Sequence, residues 1–355
     1  MSTELAGNAD ILTIGGREFR RGDRAVVRLP AGSLIDHQTL EMPVHVLRGR
    51  RAGPCMVVCA AVHGDEINGI EIIRQLIKHS VLKRLRGDLL AVPVVNVPAF
   101  LARSRYLPDR RDLNRLFPGS LKGSLGARLA KVFADELLVH ATMGIDLHTG
   151  AVYRPNLPQI RFSSEVAGAR ELAMAFRPPV VIESDARPGT LREWMHRHDK
   201  PMLTFEGGEA LRLDINVVRI GLRGIVSAMR SVGMLPDASK HNLEKPRRVV
   251  FTDVTSWMRA PQGGILRPNV KLGQAVTEGM VIGRVGDPFS PAAQPVICTT
   301  PGVVIGMTTQ SVVDEGDGLF HVATAKNPEQ AERRIKMHQA DAIIDEPVDD
   351  DPLTD

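Results

Sequence analysis

Aromatic residues are scarce in this 355-residue chain: two Trp, two Tyr and ten Phe, or 4%. A protein that holds single-stranded nucleic acid by stacking bases needs more of them. Cysteine is scarcer still. The three, Cys55, Cys59 and Cys298, are too few and odd in number for a disulfide framework, which points to a reducing compartment, the cytoplasm. Cys55 and Cys59 share one apolar run, and their spacing is not that of a zinc knuckle, so both read as core. No apolar run approaches the ~20 residues of a membrane span. Met1-Ser2-Thr3-Glu4-Leu5 has neither the basic nor the apolar region of a signal peptide, and none is expected.

Basic residues are missing from the last stretch. Residues 341–355 hold seven acidic side chains and no Lys or Arg, and read as a solvated, disordered tail. Of the 41 Asp and Glu, 34 therefore share residues 1–340 with all 45 Lys and Arg, a net charge of +11. Such a body could attract nucleic acid or a small carboxylated molecule. Dispersed surface charge is the plainer reading.

The remaining composition is that of an ordinary globular protein, with 43% apolar and 24% charged residues. Residues 1–40 read as irregular, with a leading strand near Met42–Val46. Cys55–Val62 is nearly all apolar, as in a strand buried on both faces of a sheet. Helical spacing follows over Ile67–Ile77, Leu125–Val139 and Ile215–Met234. Leu89–Val95, Gly144–Leu147, Val180–Ile182 and Met202–Phe205 read as further strands. This alternation predicts an α/β domain over residues 1–235, with a mainly parallel or mixed sheet flanked by helices. Residues 236–248 break the pattern and read as a linker. Glycine-punctuated short apolar segments then predict a small all-β domain over 249–326. Residues 327–355 complete the chain as a terminal helix and the acidic tail.

The chemistry gathers at strand ends, where open α/β sheets bind ligands. His63-Gly64-Asp65-Glu66 closes the first buried strand, and a His and a carboxylate three positions apart in a turn can reach one cation. Asp146-Leu147-His148-Thr149-Gly150 ends another strand. His63, Glu66 and His148 would supply the three protein ligands of a catalytic zinc site. Asp146, two residues from His148, would orient it. Glu206, ending Met202–Phe205 before two glycines, is the candidate general base for metal-activated water. Glu209 is its competitor, but its position after two glycines reads as that of a solvent-facing or capping residue. The Arg-rich loop Arg103–Gly119 could bind a carboxylate or stabilise an oxyanion.

These motifs in this order resemble the succinylglutamate desuccinylase/aspartoacylase family of zinc carboxypeptidase-like hydrolases. The matching pieces are His63-Gly64-Asp65-Glu66, Asn96, Arg105-Tyr106, Asp112-Leu113-Asn114-Arg115, Asp146–Gly150 and Glu206, within roughly residues 40–325. The resemblance implies one Zn²⁺ per chain, held by His63, Glu66 and His148, with Glu206 and Arg105 as catalytic residues. Glu206 would activate the water and protonate the leaving amine. Arg105 would polarise the scissile carbonyl, and Asn114 and Arg115 would grip the α-carboxylate. Arg161, or failing it Arg154, would meet a carboxylate on the acyl group.

The implied reaction is hydrolysis of an N-acyl amino acid or related small amide. Gly264–Val276 and Thr300–Val304 resemble the family's lipoyl/biotinyl-like β fold. The hairpin stretch Gly286–Pro291 lacks the lysine of a carrier, so a lid or assembly role is expected, with a homo-oligomer possible. Aspartoacylases carry a substrate-contacting tyrosine in that domain. Here the only tyrosines are Tyr106 and Tyr153, which argues against strict aspartoacylase activity.

Three rival readings remain. A zinc carboxypeptidase acting on short peptides would use the same chemistry. A non-catalytic anion or nucleic-acid binder would use the positive body. A pseudoenzyme would keep zinc without turnover. The His/Glu/His set and the few aromatics favour a small-molecule hydrolase that binds neither nucleic acid nor membrane.

Overall fold

The computed structural model describes residues 10–33, 35, 37–237 and 249–344. Two strands open it, β1 (Ile11–Ile14) and β2 (Arg17–Arg20), paired antiparallel. Gly15 and Gly16 join them with φ of +58° and +72°, the backbone that a two-residue hairpin turn requires. Next come β3 (Arg24–Ser33) and β4 (Thr39–Arg48), also antiparallel. The segment read as irregular is therefore largely strand. In β3 Val27, Leu29 and Ala31 are buried and Ala25 partly so, between exposed residues that include Arg28 and Pro30. An edge strand so rich in charge, Pro and Gly carries a weak periodic signal.

The α/β portion follows the expected alternation. Its strands are β5 (Arg51–Ala60), β6 (Arg86–Val92), β7 (Met143–Gly150), β8 (Asn156–Phe162), β9 (Val180–Glu183) and β10 (Met202–Glu209). Its helices are α1 (Asn68–Lys78), α2 (Val97–Leu101), α3 (Leu125–Phe133), α4 (Ala169–Phe176), α5 (Leu191–His196) and α6 (Ile215–Ser231). β5 lies between β6 and β7, parallel to both, and β10 runs parallel to β7. β8 is antiparallel to β10, so the sheet is mixed.

Both faces of the sheet are covered. On β5, Met56, Val58 and Ala60 pack with α1, α4 and α6. Cys55, Val57 and Cys59 pack on the other face, with α3, α5 and the first four strands. Each fully buried large apolar side chain contributes roughly 1.5–3 kcal/mol. Arg48 is buried inside this second layer. Its Nε donates to Asp88 Oδ1 at 3.0 Å and its Nη1 to the Phe19 carbonyl at 2.6 Å, tying β2 to β4 and β6.

The C-terminal part is β11 (Val250–Thr252), β12 (Thr255–Arg259), β13 (Gly264–Pro268), β14 (Ala275–Val276), β15 (Val281–Gly286), β16 (Ala293–Ile297), β17 (Gly302–Met307), β18 (Val312–Val313), β19 (Gly318–Thr324) and α7 (Pro328–Ile344). Strands β16, β15, β13 and β18 form one sheet. Strands β12, β19, β17 and β14 form a second layer, and Leu266, Val285, Val304, Phe320 and Val322 fill the space between.

This all-β region is not separate from the main sheet. β17 bonds to β8 through Gly306 and Asn156, and β11 extends the α/β sheet beside β9. Most of the expected linker, from residue 238, and the acidic tail from residue 345 lie outside the described residues. α7 reaches Ile344, four residues into the stretch read as tail. No helix among the described residues is long and apolar enough to cross a membrane.

Candidate metal and active site

β5, β7 and β10 end side by side, and their ends carry the chemistry. Beyond β5 the chain takes φ +50° at Ala61 and then turns through His63 to Glu66. The turn packs so closely on α2 that a Cβ on Gly64 would lie 2.0 Å from the Ala99 carbonyl carbon. Only glycine fits there. Asn96 steadies the pair of segments. It caps α2 through Ala99 N, and its Nδ2 donates to the Val62 carbonyl at 3.1 Å.

His63, Glu66 and His148 converge in the interior, all buried, with donor atoms within 4.8 Å of one another. His63 Nδ1 lies 2.8 Å from Glu66 Oε1, and His148 Nδ1 lies 2.7 Å from Glu66 Oε2. Both Nδ1 atoms thus face the carboxylate. Both Nε2 atoms face outward to an aspartate: His63 to Asp112 Oδ1 at 3.0 Å, His148 to Asp146 Oδ2 at 2.7 Å. A ligating imidazole is held in this way, one nitrogen to the ion and the other to a carboxylate.

Asp112 as the anchor of His63 was not apparent from the sequence, because the pair is 49 residues apart and meets only through the Arg-rich loop. Cys59, under Asp146, directs its Sγ at Oδ1 over 3.4 Å.

Burial opposes a charge on each of these groups, and the neighbours overrule it. Glu66, then Asp112, raise the His63 pKa; Asp146, then Glu66, raise that of His148. The two imidazoles in turn hold the Glu66 carboxyl well below the usual range. Glu66 also accepts from Thr149 N at 3.1 Å and from Arg105 Nη1 at 3.2 Å. Two imidazoles and a carboxylate, oriented inward and backed by aspartates, fit a bound metal ion.

Glu206 is His148's register neighbour across β7 and β10, so both side chains leave the same sheet face. Its Oε2 accepts from Asn156 Nδ2 at 2.7 Å, and its Oε1 lies 3.3 Å from Arg161 Nε. Arg161, not Arg154, therefore sits beside the candidate base; Arg154 is exposed.

Glu209 is buried and not solvent-facing; it accepts from Tyr153 N at 2.9 Å. Arg105 bridges Glu66 and Asp112, its Nη2 3.1 Å from Asp112 Oδ2. Asn114 receives Leu191 N at 3.0 Å on its Oδ1, while Arg115 is exposed and bonded to its own loop. His321 of β19, stacked on Trp257 at 4.6 Å, approaches Arg161 closely enough to feel its charge. Nothing in the local sequence around His321 marks that proximity.

The profile of the succinylglutamate desuccinylase/aspartoacylase catalytic domain matches residues 52–232. The chain belongs to this family. Among its relatives is the N-alpha-acetyl-L-2,4-diaminobutyric acid deacetylase of Halomonas elongata, 28% identical over 299 residues, covering 79% of this chain and 85% of that one. A succinylglutamate desuccinylase of Burkholderia cenocepacia is 38% identical over 106 residues, 26% of this chain and 30% of that one.

Solved structures agree on the fold. A succinylglutamate desuccinylase/aspartoacylase from Rhodobacter sphaeroides superposes with a TM-score of 0.76 at 25% identity, covering 87% of this chain and 97% of that one. The ectoine utilization protein EutE (DoeB) from Ruegeria pomeroyi does so with 0.77 at 24%, covering 86% and 97%. His63, Glu66, Asp112, His148 and Glu206 all fall within the matched segment.

Proposed function

We propose that this chain is a zinc-dependent deacylase that hydrolyses the amide of an N-acyl amino acid to a carboxylate and a free amine. One observation carries the reading: the buried His63–Glu66–His148 set, each imidazole backed by an aspartate, stands one register position from Glu206. About one zinc per chain would be held by His63 Nδ1, Glu66 and His148 Nδ1. When bound, zinc supplies Lewis acidity to the scissile carbonyl and to the attacking water.

The protein's own groups do the rest. Glu206 takes a proton from the attacking water as the new C–O bond forms. It returns that proton to the amide nitrogen as the C–N bond breaks, so the amine leaves neutral. Arg105 stands at the edge of the Glu66 carboxylate and lends positive charge to the oxygen that becomes anionic. Asn114 and Arg115 receive the α-carboxylate, and Arg161 contacts the substrate beside Glu206. The three free, buried cysteines fit a reducing cytoplasm.

The test is Glu206→Gln assayed on N-acetyl and N-succinyl amino acids, with dipeptides alongside. Metal content equal to the wild type with a rate loss of about 10²–10⁴ is expected. Retention of most activity contradicts the base assignment. Preference for dipeptides would favour a carboxypeptidase.

A further inference from the structure

The positive charge of the body is not spread evenly. β5 and β6 run parallel toward the metal site, so their first residues lie at the opposite edge of the sheet. Three turns meet at that edge: Arg20–Arg24 before β3, Gly49–Arg51 between β4 and β5, and Leu82–Arg86 before β6. They are tied together. Gly49 N donates to the Gly87 carbonyl at 2.7 Å, Arg48 N to the Asp23 carbonyl at 2.9 Å, and Arg24 Nη2 to the Leu82 carbonyl. Arg51 and Arg86 are direct register partners.

Six cations are exposed here: Arg24, Arg50, Arg51, Lys83, Arg84 and Arg86. None of them forms a salt bridge among the described residues. The acids close by are engaged, Asp88 with Arg48 and Arg21, and Asp23 with Arg20 N at 2.7 Å. Crowded like charges repel one another, and such an edge attracts a polyanion. Five of the six are arginines, which grip carboxylates or phosphates through paired N–H groups. The three turns hold no aromatic residue, so nothing there can stack a base.

The chain carries its own polyanion. Residues 345–355 hold six Asp and Glu and no Lys or Arg. They follow α7, and α7 heads for the catalytic edge. Its Glu332 accepts from Ala275 N at 2.9 Å. Further on, Ile335 and Gln339 come up beside Gly273 and Leu157, the neighbour of Asn156. The basic edge is then distant: about 33 Å down the ten residues of β5, and about 14 Å across the three strand spacings from β8. Eleven residues span at most about 36–40 Å when fully extended. With the core in the way, the segment is too short to round the sheet and lie along the edge of its own molecule.

We infer that the basic edge docks the acidic segment 345–355 of a second copy of this chain. Six carboxylates then face six cations, and the charge asymmetry of the sequence becomes a head-to-tail contact. Reciprocal exchange closes a pair; one-way exchange builds a longer array. The inference stands whether or not the chain is a deacylase.

The experiment is analytical ultracentrifugation of the full chain. The wild type is expected to associate, with an association constant that falls at least about tenfold between about 0.05 M and 0.5 M salt. Two full-length variants separate the two halves of the contact. One carries Arg50→Gln, Arg51→Gln and Arg84→Gln, all at exposed positions; the other carries Asp349→Asn, Asp350→Asn and Asp351→Asn. Each alone is expected to associate about tenfold or more weakly than the wild type. Mixed, they are expected to regain association, because the first keeps its acidic segment and the second its basic edge. A labelled peptide of residues 345–355 is expected to bind the wild type and to lose about tenfold or more in affinity for the arginine variant.

A wild type that stays monomeric at low salt overturns the inference, as does association that either variant leaves unchanged. A mixture without recovery overturns the exchange between copies. An edge that ignores the peptide but holds duplex DNA, and loses it in the arginine variant, belongs to nucleic acid instead.

Discussion

Asn156 Nδ2 donates to Glu206 Oε2 over 2.7 Å, so the candidate base on β10 is held by the first residue of β8. Asn156 is also the residue through which the C-terminal strands join the main sheet, paired with Gly306 of β17. A Cβ on Gly306 would come within 2.7 Å of Asn156 Oδ1. The all-β region thus presses on the residue that aims the base.

Gly306→Ala should therefore act at a distance. The Asn156 amide must turn aside to admit the methyl, which weakens its bond to Glu206. Asn156→Leu removes that bond outright. Both variants are expected to lose kcat by about tenfold or more, the equivalent of about 1.4 kcal/mol, at unchanged zinc content. Steady-state kinetics with metal analysis checks this; unchanged kcat in Asn156→Leu would detach the base from its holder.

The aspartates behind the imidazoles should govern metal affinity before rate. Asp112→Asn and Asp146→Asn are each expected to weaken zinc binding about 10–100-fold. Competition with a chelator reads this directly, and activity should return largely when zinc is in excess. Wild-type affinity in both variants would mean that the imidazoles orient without them.

Arg48 offers a test of stability away from the site. Its removal leaves Asp88 buried with Arg21, 3.0 Å away, as its remaining salt-bridge partner among the described residues. Arg48→Met is expected to destabilise the fold by about 3 kcal/mol, measured by denaturant unfolding, and Arg48→Met with Asp88→Leu to recover part of it. A loss under about 1 kcal/mol would place the hairpin's anchorage elsewhere.

Acid should weaken the protein through His321. Burial, then the nearby Arg161, depresses its pKa to about 3, whereas an unfolded histidine titrates near about 6.5. Between those values the unfolded chain binds a proton that the native chain does not. Stability is therefore lost as pH falls through that window, with a slope of up to about 1.4 kcal/mol per pH unit. His321→Phe is expected to flatten this limb in pH-dependent unfolding, and an unaltered limb would assign it to other groups. Trp257 fluorescence gives a local readout, since the indole stacks on that imidazole.

The sequence carried the candidate ligands because His63 and Glu66 lie in the turn that follows one apolar strand and His148 lies near the end of another, at the edge where an open α/β sheet binds ligands. What it withheld was pairing at long range. Asp112 reaches His63, and Arg48 reaches Asp88, across about 40–50 residues with no local signal, as tertiary contacts between charged side chains do. Arg161 already reads as better placed than Arg154 from its alternating segment, and the register with Thr204 puts it on the face of Glu206. Gln159, in a segment flanked by Leu157 and Ile160, gave no hint that its amide would lack a hydrogen-bond partner among the described residues. The first strands went unread because β2 is only four residues long, and in β3 exposed Val26 beside buried Val27, with Pro30 and Gly32, blurs the alternation.

The measurement that bears most directly on the proposed site is the metal content of the chain purified without chelators, beside His148→Ala and Glu206→Gln. The expected result is about one zinc per chain in the wild type and in Glu206→Gln, and little in His148→Ala. No zinc in the wild type, and none taken up when the metal-free protein is dialysed against it, would contradict a metal-dependent deacylase.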